Sequence, residues 1–247
     1  MLDKEIASTG SRPYTPRLMP SHWLKPGLRA LAILFPFIAI GQPPATPDSA
    51  KAPPRKVLWS QRGEAMVDVA KACPGICVEM RYATDRNLAG KTIYPLRARA
   101  LIRKSVAKRL QHAQDALRTQ GFGLKIWDAY RPAWAQNLLW KAAPNAEFLA
   151  DPARGGSFHT WGVSVDVTLV DLQGREQKMA TDFDDLSEAS KSTYVGSNSG
   201  VAARMKVLRA AMLSAGFNGI RDEWWHFTAQ DGWLFAPVDM ALEEGGN

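Results

Sequence analysis

Two segments far apart in the chain dictate most of what it can fold into. The first runs Gly155-Gly156-Ser157-Phe158-His159-Thr160-Trp161-Gly162-Val163-Ser164-Val165-Asp166, and the second is Glu223-Trp224-Trp225-His226-Phe227. From Val163 to Leu169 the valines and Leu169 alternate with Ser164, Asp166 and Thr168, the period of a β-strand with one apolar face. Asp166 therefore points away from the hydrophobic core. His159 and Asp166 have an odd spacing, which in a regular strand would send them to opposite faces, so Gly162 must supply a bend between them. Glu223 and His226 pose the same problem. Either Glu223 precedes its strand or a bulge re-aims one of the two.

Zinc in a hydrolase takes three protein nitrogen or oxygen ligands and keeps a fourth position for water. His159, Asp166 and His226 supply such a set for one zinc ion per chain, and Glu223 is the spare carboxylate that takes a proton from water. Taken alone, His226 would read as a core histidine in an aromatic cluster. Histidine is scarce, however, with four in 247 residues, and His159 and His226 both fall in these segments. His112 lies on an amphipathic helix and reads as scaffold.

Residues 30–40 form an apolar run preceded by Lys25 and Arg29 and followed by Gly41 and a Pro/Ala/Ser-rich stretch, the layout of a secretory signal. The run is too short, and too interrupted by Pro36, to span a bilayer. The expected organisation is a signal peptide over 1–41, with Met19 as a more typical start, a linker over 42–56, and one domain over 57–247. A periplasmic or secreted protein follows from it, with no stable membrane span after cleavage. The formal charge of +7 does not call for nucleic acid, since five Lys/Arg against two Asp/Glu sit in the leader. In an oxidising compartment Cys73 and Cys77, flanking a Pro-Gly turn, are expected to close a small disulfide.

Between these landmarks, Val78 to Ala83 reads as a strand and Ala98 to Thr119 as an amphipathic helix stopped by Gly121. Leu124 to Asp128 reads as a strand, followed by a helix over Ala133 to Ala142 with Pro132 at its start. Arg131, at the carboxyl end of that strand, either enters a cleft or forms a surface salt bridge. A further helix is expected from Gly200 to Ala215, then an aromatic strand from Ile220 to Thr228.

With these residues in view, the chain resembles the D-alanyl-D-alanine dipeptidase family, zinc peptidases of the lysostaphin and hedgehog-type fold. The resemblance runs in order through Tyr82-Ala83-Thr84 with Asn87 and Gly90, Trp127-Asp128-x-Tyr130-Arg131-Pro132, Ser157-x-His159-x-x-Gly162-x-x-x-Asp166, Met179-x-Thr181-x-Phe183-Asp184 and Glu223-Trp224-Trp225-His226. Five short motifs in one order make a specific signal. It implies His159, Asp166 and His226 as zinc ligands, Glu223 as catalytic base and Arg131 as transition-state stabiliser. It also implies Ser157 and Tyr82 at the substrate's carboxyl end, Asp184 at its ammonium, and Asp128 as support behind the ligands. Thr160-Trp161, Leu88 and Ala180 depart from the family pattern, as does the short stretch between Pro132 and Ser157.

The expected fold is α+β, an antiparallel sheet carrying the zinc site with helices on its other face. The expected activity is hydrolysis of D-Ala-D-Ala in cell-wall turnover. A D,D-carboxypeptidase or endopeptidase acting on peptidoglycan would need no acidic cap at the amino end, and Asp184 argues against it. A non-catalytic zinc-stabilised module would lack the base or the arginine, and both are present.

Overall fold

The computed structural model describes residues 63–145 and 149–243. They belong to one compact unit, Lys56–Asn247. The expected leader and linker lie outside the described residues, as do residues 146–148.

A five-stranded sheet forms the frame, in the order β2 (Cys77–Val78), β4 (Phe122–Asp128), β5 (Ser164–Asp171), β7 (His226–Ala229) and β6 (Phe217–Gly219). A separate antiparallel pair joins β1 (Met66–Asp68) to β3 (Leu101–Arg103). The expectation of an antiparallel sheet needs one correction, because β2 runs parallel to β4. Parallel neighbours require a long crossover, and the helix between these two strands provides it.

That helix, α2 (Lys104–Arg118), buries Val106, Leu110, Ala113 and Leu117, a three-to-four-residue spacing that forms one apolar stripe. Each fully buried leucine is worth about 1.5–3 kcal/mol over an exposed one. The stripe packs on β4 and on α4 (Ser199–Ser214), which buries Val201, Met205, Leu208 and Met212. Asn198 starts α4 by accepting a hydrogen bond from the Val201 N–H at 3.1 Å. The shorter helices are α1 (Val69–Ala72) and α3 (Ala133–Ala142), the latter with the bounds read from sequence.

Four local expectations change. The helix expected from Ala98 begins only at Lys104, because Leu101–Arg103 pair as β3. Of the segment read as a strand only Val78 pairs, together with Cys77 before it; the chain then tightens into a 3-10 turn, Arg81–Ala83, which buries Arg81 and Tyr82. The aromatic segment pairs in register with β5 only from His226 onward, because residues 221–225 form bends and turns in which the Trp224 N–H donates to the Ser190 carbonyl oxygen at 2.9 Å. The expected disulfide is not formed, and both cysteines are free thiols. The Cys73 thiol faces α2 and donates to the Ala107 carbonyl oxygen at 3.3 Å, whereas Cys77 sits on β2. Burial pushes the Cys73 thiol up to about 11, which keeps it protonated.

Candidate metal centre and active site

The site is a row of residues across three neighbouring strands. Asp166 on β5 has Asp128 of β4 as its Cα partner on one side and His226 of β7 on the other. The β4 register shifts between Ile126 and Asp128, the kind of irregularity that re-aims a side chain. Ser164 to Val170 are all buried, so the polar face of β5 is covered except where these groups meet a cavity.

His159 reaches the row from outside the sheet. It lies in a 3-10 turn, Phe158–Trp161, which starts at Ser157, whose Oγ accepts from the His159 N–H at 3.2 Å. The turn ends at Gly162 with φ 70°, a left-handed conformation that favours glycine. A Cβ there would also lie 2.4 Å from Cε of Met66. Gly162 thus supplies the bend that the spacing of His159 and Asp166 demands.

Ring orientation follows from the outer hydrogen bonds. His159 Nδ1 lies 2.6 Å from the Ala129 carbonyl oxygen, which can only accept, so Nδ1 carries the proton and Nε2 turns its lone pair inward. His226 Nε2 lies 3.1 Å from Thr228 Oγ1, leaving Nδ1 for the centre. The three inner atoms form a near-regular triangle. His159 Nε2 to His226 Nδ1 is 3.1 Å, His159 Nε2 to Asp166 Oδ1 is 3.3 Å, and His226 Nδ1 to Asp166 Oδ1 is 3.0 Å. Tetrahedral zinc with bonds of about 2.0–2.1 Å has ligand-to-ligand edges of about 3.3–3.4 Å. The donor set therefore fits zinc in both chemistry and spacing, and among the described residues no other such group of histidine, cysteine and carboxylate side chains occurs. Burial opposes charge on Asp166, but His159 and His226 outweigh it and hold the carboxyl well below the usual range.

Glu223 precedes β7, in a turn where the His226 N–H donates to its carbonyl oxygen at 3.3 Å. Its Oε2 lies 3.9 Å from His226 Nδ1, close to the triangle without being part of it. Burial pushes its carboxyl up to about 8, with Asp166 and Asp184 adding to the effect and His226 and Arg131 opposing it.

Arg131 resolves in favour of the cleft. It is 5% exposed, and its guanidinium donates to Asp128 Oδ2 (Nε, 2.9 Å), Gln136 Oε1 (Nη1, 2.9 Å) and Asp166 Oδ2 (Nη2, 3.4 Å). The ring of Tyr82 covers it, 4.9 Å from Cζ to centroid. Asp128 is fully buried behind it and divides its oxygens: Oδ1 accepts from the Tyr94 hydroxyl at 2.9 Å and Oδ2 from Arg131.

Asp184 is the one non-glycine residue with positive φ among the described residues, at 57°. Such strain, of order 1–3 kcal/mol, persists where the surroundings enforce it. Here the Leu88 N–H donates to Oδ2 at 3.0 Å and the Tyr82 hydroxyl to Oδ1 at 3.3 Å. Tyr82 thus contacts Asp184, at the end expected for the ammonium and not only the carboxyl end. Burial pushes the Asp184 carboxyl up to about 7.

His159, Asp166, His226, Glu223, Arg131, Tyr82 and Asp184 face one cavity of ≈ 250 Å³, which Ser157 and Phe158 also line. Three contributors were not singled out from sequence: Tyr94, Gln136 and Thr228. Each is an isolated hydroxyl or amide in a segment with no motif of its own, and only its partner in space reveals it.

Residues 62–239 match the peptidase M15 family, described as D-ala-D-ala dipeptidase. The chain is similar to the D-alanyl-D-alanine dipeptidase of Escherichia coli K12, 36% identical over 162 residues covering 66% of this chain and 83% of that one. It is similar also to the D-alanyl-D-alanine dipeptidase of Enterococcus faecalis V583, 32% identical over 176 residues covering 64% and 87% of the two chains. The protein of the same description from Streptomyces coelicolor is 30% identical over 176 residues, with the same coverage of 64% and 87%.

Proposed function

Because the chain belongs to the D-ala-D-ala dipeptidase family, we propose that it hydrolyses free D-Ala-D-Ala to two molecules of D-alanine, with one zinc ion held by His159, Asp166 and His226. The observation that carries this reading is one cavity holding the His-Asp-His triangle, Arg131 and two further half-buried carboxylates, Glu223 and Asp184. Zinc, when bound, supplies Lewis acidity to the scissile carbonyl and to water.

The protein's own groups do the rest. Glu223, beside the triangle, takes the proton from the attacking water and delivers it to the leaving amine. Arg131, immobilised by Asp128 and Gln136, offers fixed positive charge to the oxygen that becomes negative in the transition state. Asp184 pairs with the substrate's ammonium, with Tyr82 orienting its carboxylate. Ser157 meets the substrate's carboxyl end. A dipeptide offers little surface, so both charged ends must be recognised, and an acylated amine would leave Asp184 with no cation to pair with. The leader-like segment at residues 30–40 supports a periplasmic or secreted location and a role in cell-wall turnover.

The test is release of free D-alanine from D-Ala-D-Ala by the zinc-loaded protein and by Glu223→Ala, beside N-acetyl-D-Ala-D-Ala and L-Ala-L-Ala. Cleavage of the free D,D-dipeptide alone, lost in the variant, supports the dipeptidase. Preference for the acetylated substrate would move the assignment to a carboxypeptidase. No hydrolysis of any of them would leave a zinc-binding module.

A further inference from the structure

We propose that Phe158, braced by Trp161, makes this site selective for D,D-dipeptides whose C-terminal residue carries a large apolar side chain. The inference rests on the dipeptidase reading above and names the substrate class within it.

The inner part of the cavity is polar and charged, but its mouth is not. Phe158 lines the cavity yet is 41% exposed, and so is Ile220, with Leu149 buried beside the same space. Phe158 and Ile220 thus leave large apolar surfaces facing water at the entrance to a binding site, where a ligand's apolar group would cover them. Phe158 is also fixed in place. Its ring stands edge-on to that of Trp161, with centroids 5.0 Å apart and planes at 71°, an arrangement aromatic pairs favour. Trp161 is itself packed against the core, and the turn that carries both rings is closed by Gly162. The ring is therefore a wall that does not need ordering when substrate arrives.

The position of that wall selects one side chain of the substrate. Asp184 is assigned the ammonium, and Ser157, adjacent to Phe158 in the chain, is assigned the carboxyl end. With Phe158 lining the same cavity as Ser157, these assignments set its ring against the side chain of the C-terminal residue. The methyl of D-alanine is too short to cover an aromatic ring, whereas an isobutyl or benzyl group can. Even one methylene in an apolar pocket changes specificity by about 10-fold to 200-fold.

The experiment compares kcat/KM for D-Ala-D-Ala, D-Ala-D-Leu, D-Ala-D-Phe and the reversed D-Leu-D-Ala, using the zinc-loaded full chain, Phe158→Ser and Phe158→Leu. The expected result is that D-Ala-D-Leu or D-Ala-D-Phe exceeds D-Ala-D-Ala by about tenfold or more while D-Leu-D-Ala does not. That ratio should collapse toward one in Phe158→Ser and be largely kept in Phe158→Leu. Equal or better turnover of D-Ala-D-Ala by the unaltered protein, or a ratio that Phe158→Ser leaves intact, would overturn the proposal while the dipeptidase stands. Failure to hydrolyse any of the D,D-dipeptides would overturn the dipeptidase reading, and the selectivity with it.

Discussion

Asp166 and His226 are Cα partners across the β5–β7 ladder, and their side chains meet with Oδ1 3.0 Å from Nδ1. Two of the three candidate metal-binding groups are thereby fixed by sheet register. A slip of one residue would turn one of them to the opposite face. Because register and metal site are the same arrangement, an ion that binds the folded triangle must stabilise the fold.

Zinc should therefore raise the melting temperature. An ion present at 100 times its Kd adds about 2.7 kcal/mol, and for a domain of this size that amounts to roughly 5–10 °C. Calorimetry with and without a chelator reads the shift. His159→Ala should remove most of it and reduce bound zinc to well below one per chain; an unchanged shift would place the ion elsewhere.

Asp184 gives a pH signature in KM. Burial holds its carboxyl near 7, so below that pH the free protein binds a proton there that the substrate's ammonium must displace. KM for D-Ala-D-Ala should rise about tenfold per pH unit as pH falls below 7 and level off above it, until the substrate amine loses its own proton near pH 8. Asp184→Asn should raise KM at pH 7.5 by about 30-fold or more and abolish this dependence. A variant whose KM still climbs in acid would show that another group binds the ammonium.

Tyr94→Phe removes one hydroxyl and leaves Asp128 Oδ1 buried without its donor. The expected cost is about 1–3 kcal/mol of stability. Loosening Asp128 also loosens Arg131, so kcat should fall by about tenfold with KM changed far less. Denaturant titration and steady-state kinetics together check it. A stability loss with kcat intact would make Tyr94 purely structural.

Gly162→Ala combines a left-handed backbone with a Cβ driven onto Met66. A loss of stability exceeding 1 kcal/mol is expected. Pairing it with Met66→Ala should relieve the clash but not the backbone strain, so zinc affinity should recover only in part. Full recovery would show that the φ of residue 162 is immaterial to placing His159.

The parts of the site legible in sequence are those that local chemistry constrains. Alternation through Val163–Leu169 orients Asp166, and the need for a bend singles out Gly162; both hold in the structure. The helix at Ala133–Ala142 was legible because Pro132 marks its start. What could not be read depends on partners distant in the chain. Tyr94 matters only because Asp128 lies against it, and Arg81 leaves an expected strand to pair with Glu176 at 3.0 Å. The two cysteines are close in sequence, but burial of Cys73 against α2 decides their state. Spacing says nothing of such encounters.

The triangle of donor atoms has an implication for how the protein comes into being. Its corners are contributed by residues 159, 166 and 226, and the last of these follows α4 and β6 in the chain. Closing a loop of that length carries its entropic cost before any contact rewards it. A ribosome-bound chain that has not yet released residue 226 has two corners and no third. Activity thus begins at a definite moment in the protein's life, when its last strand is laid down, and no shorter nascent chain can hydrolyse a peptide.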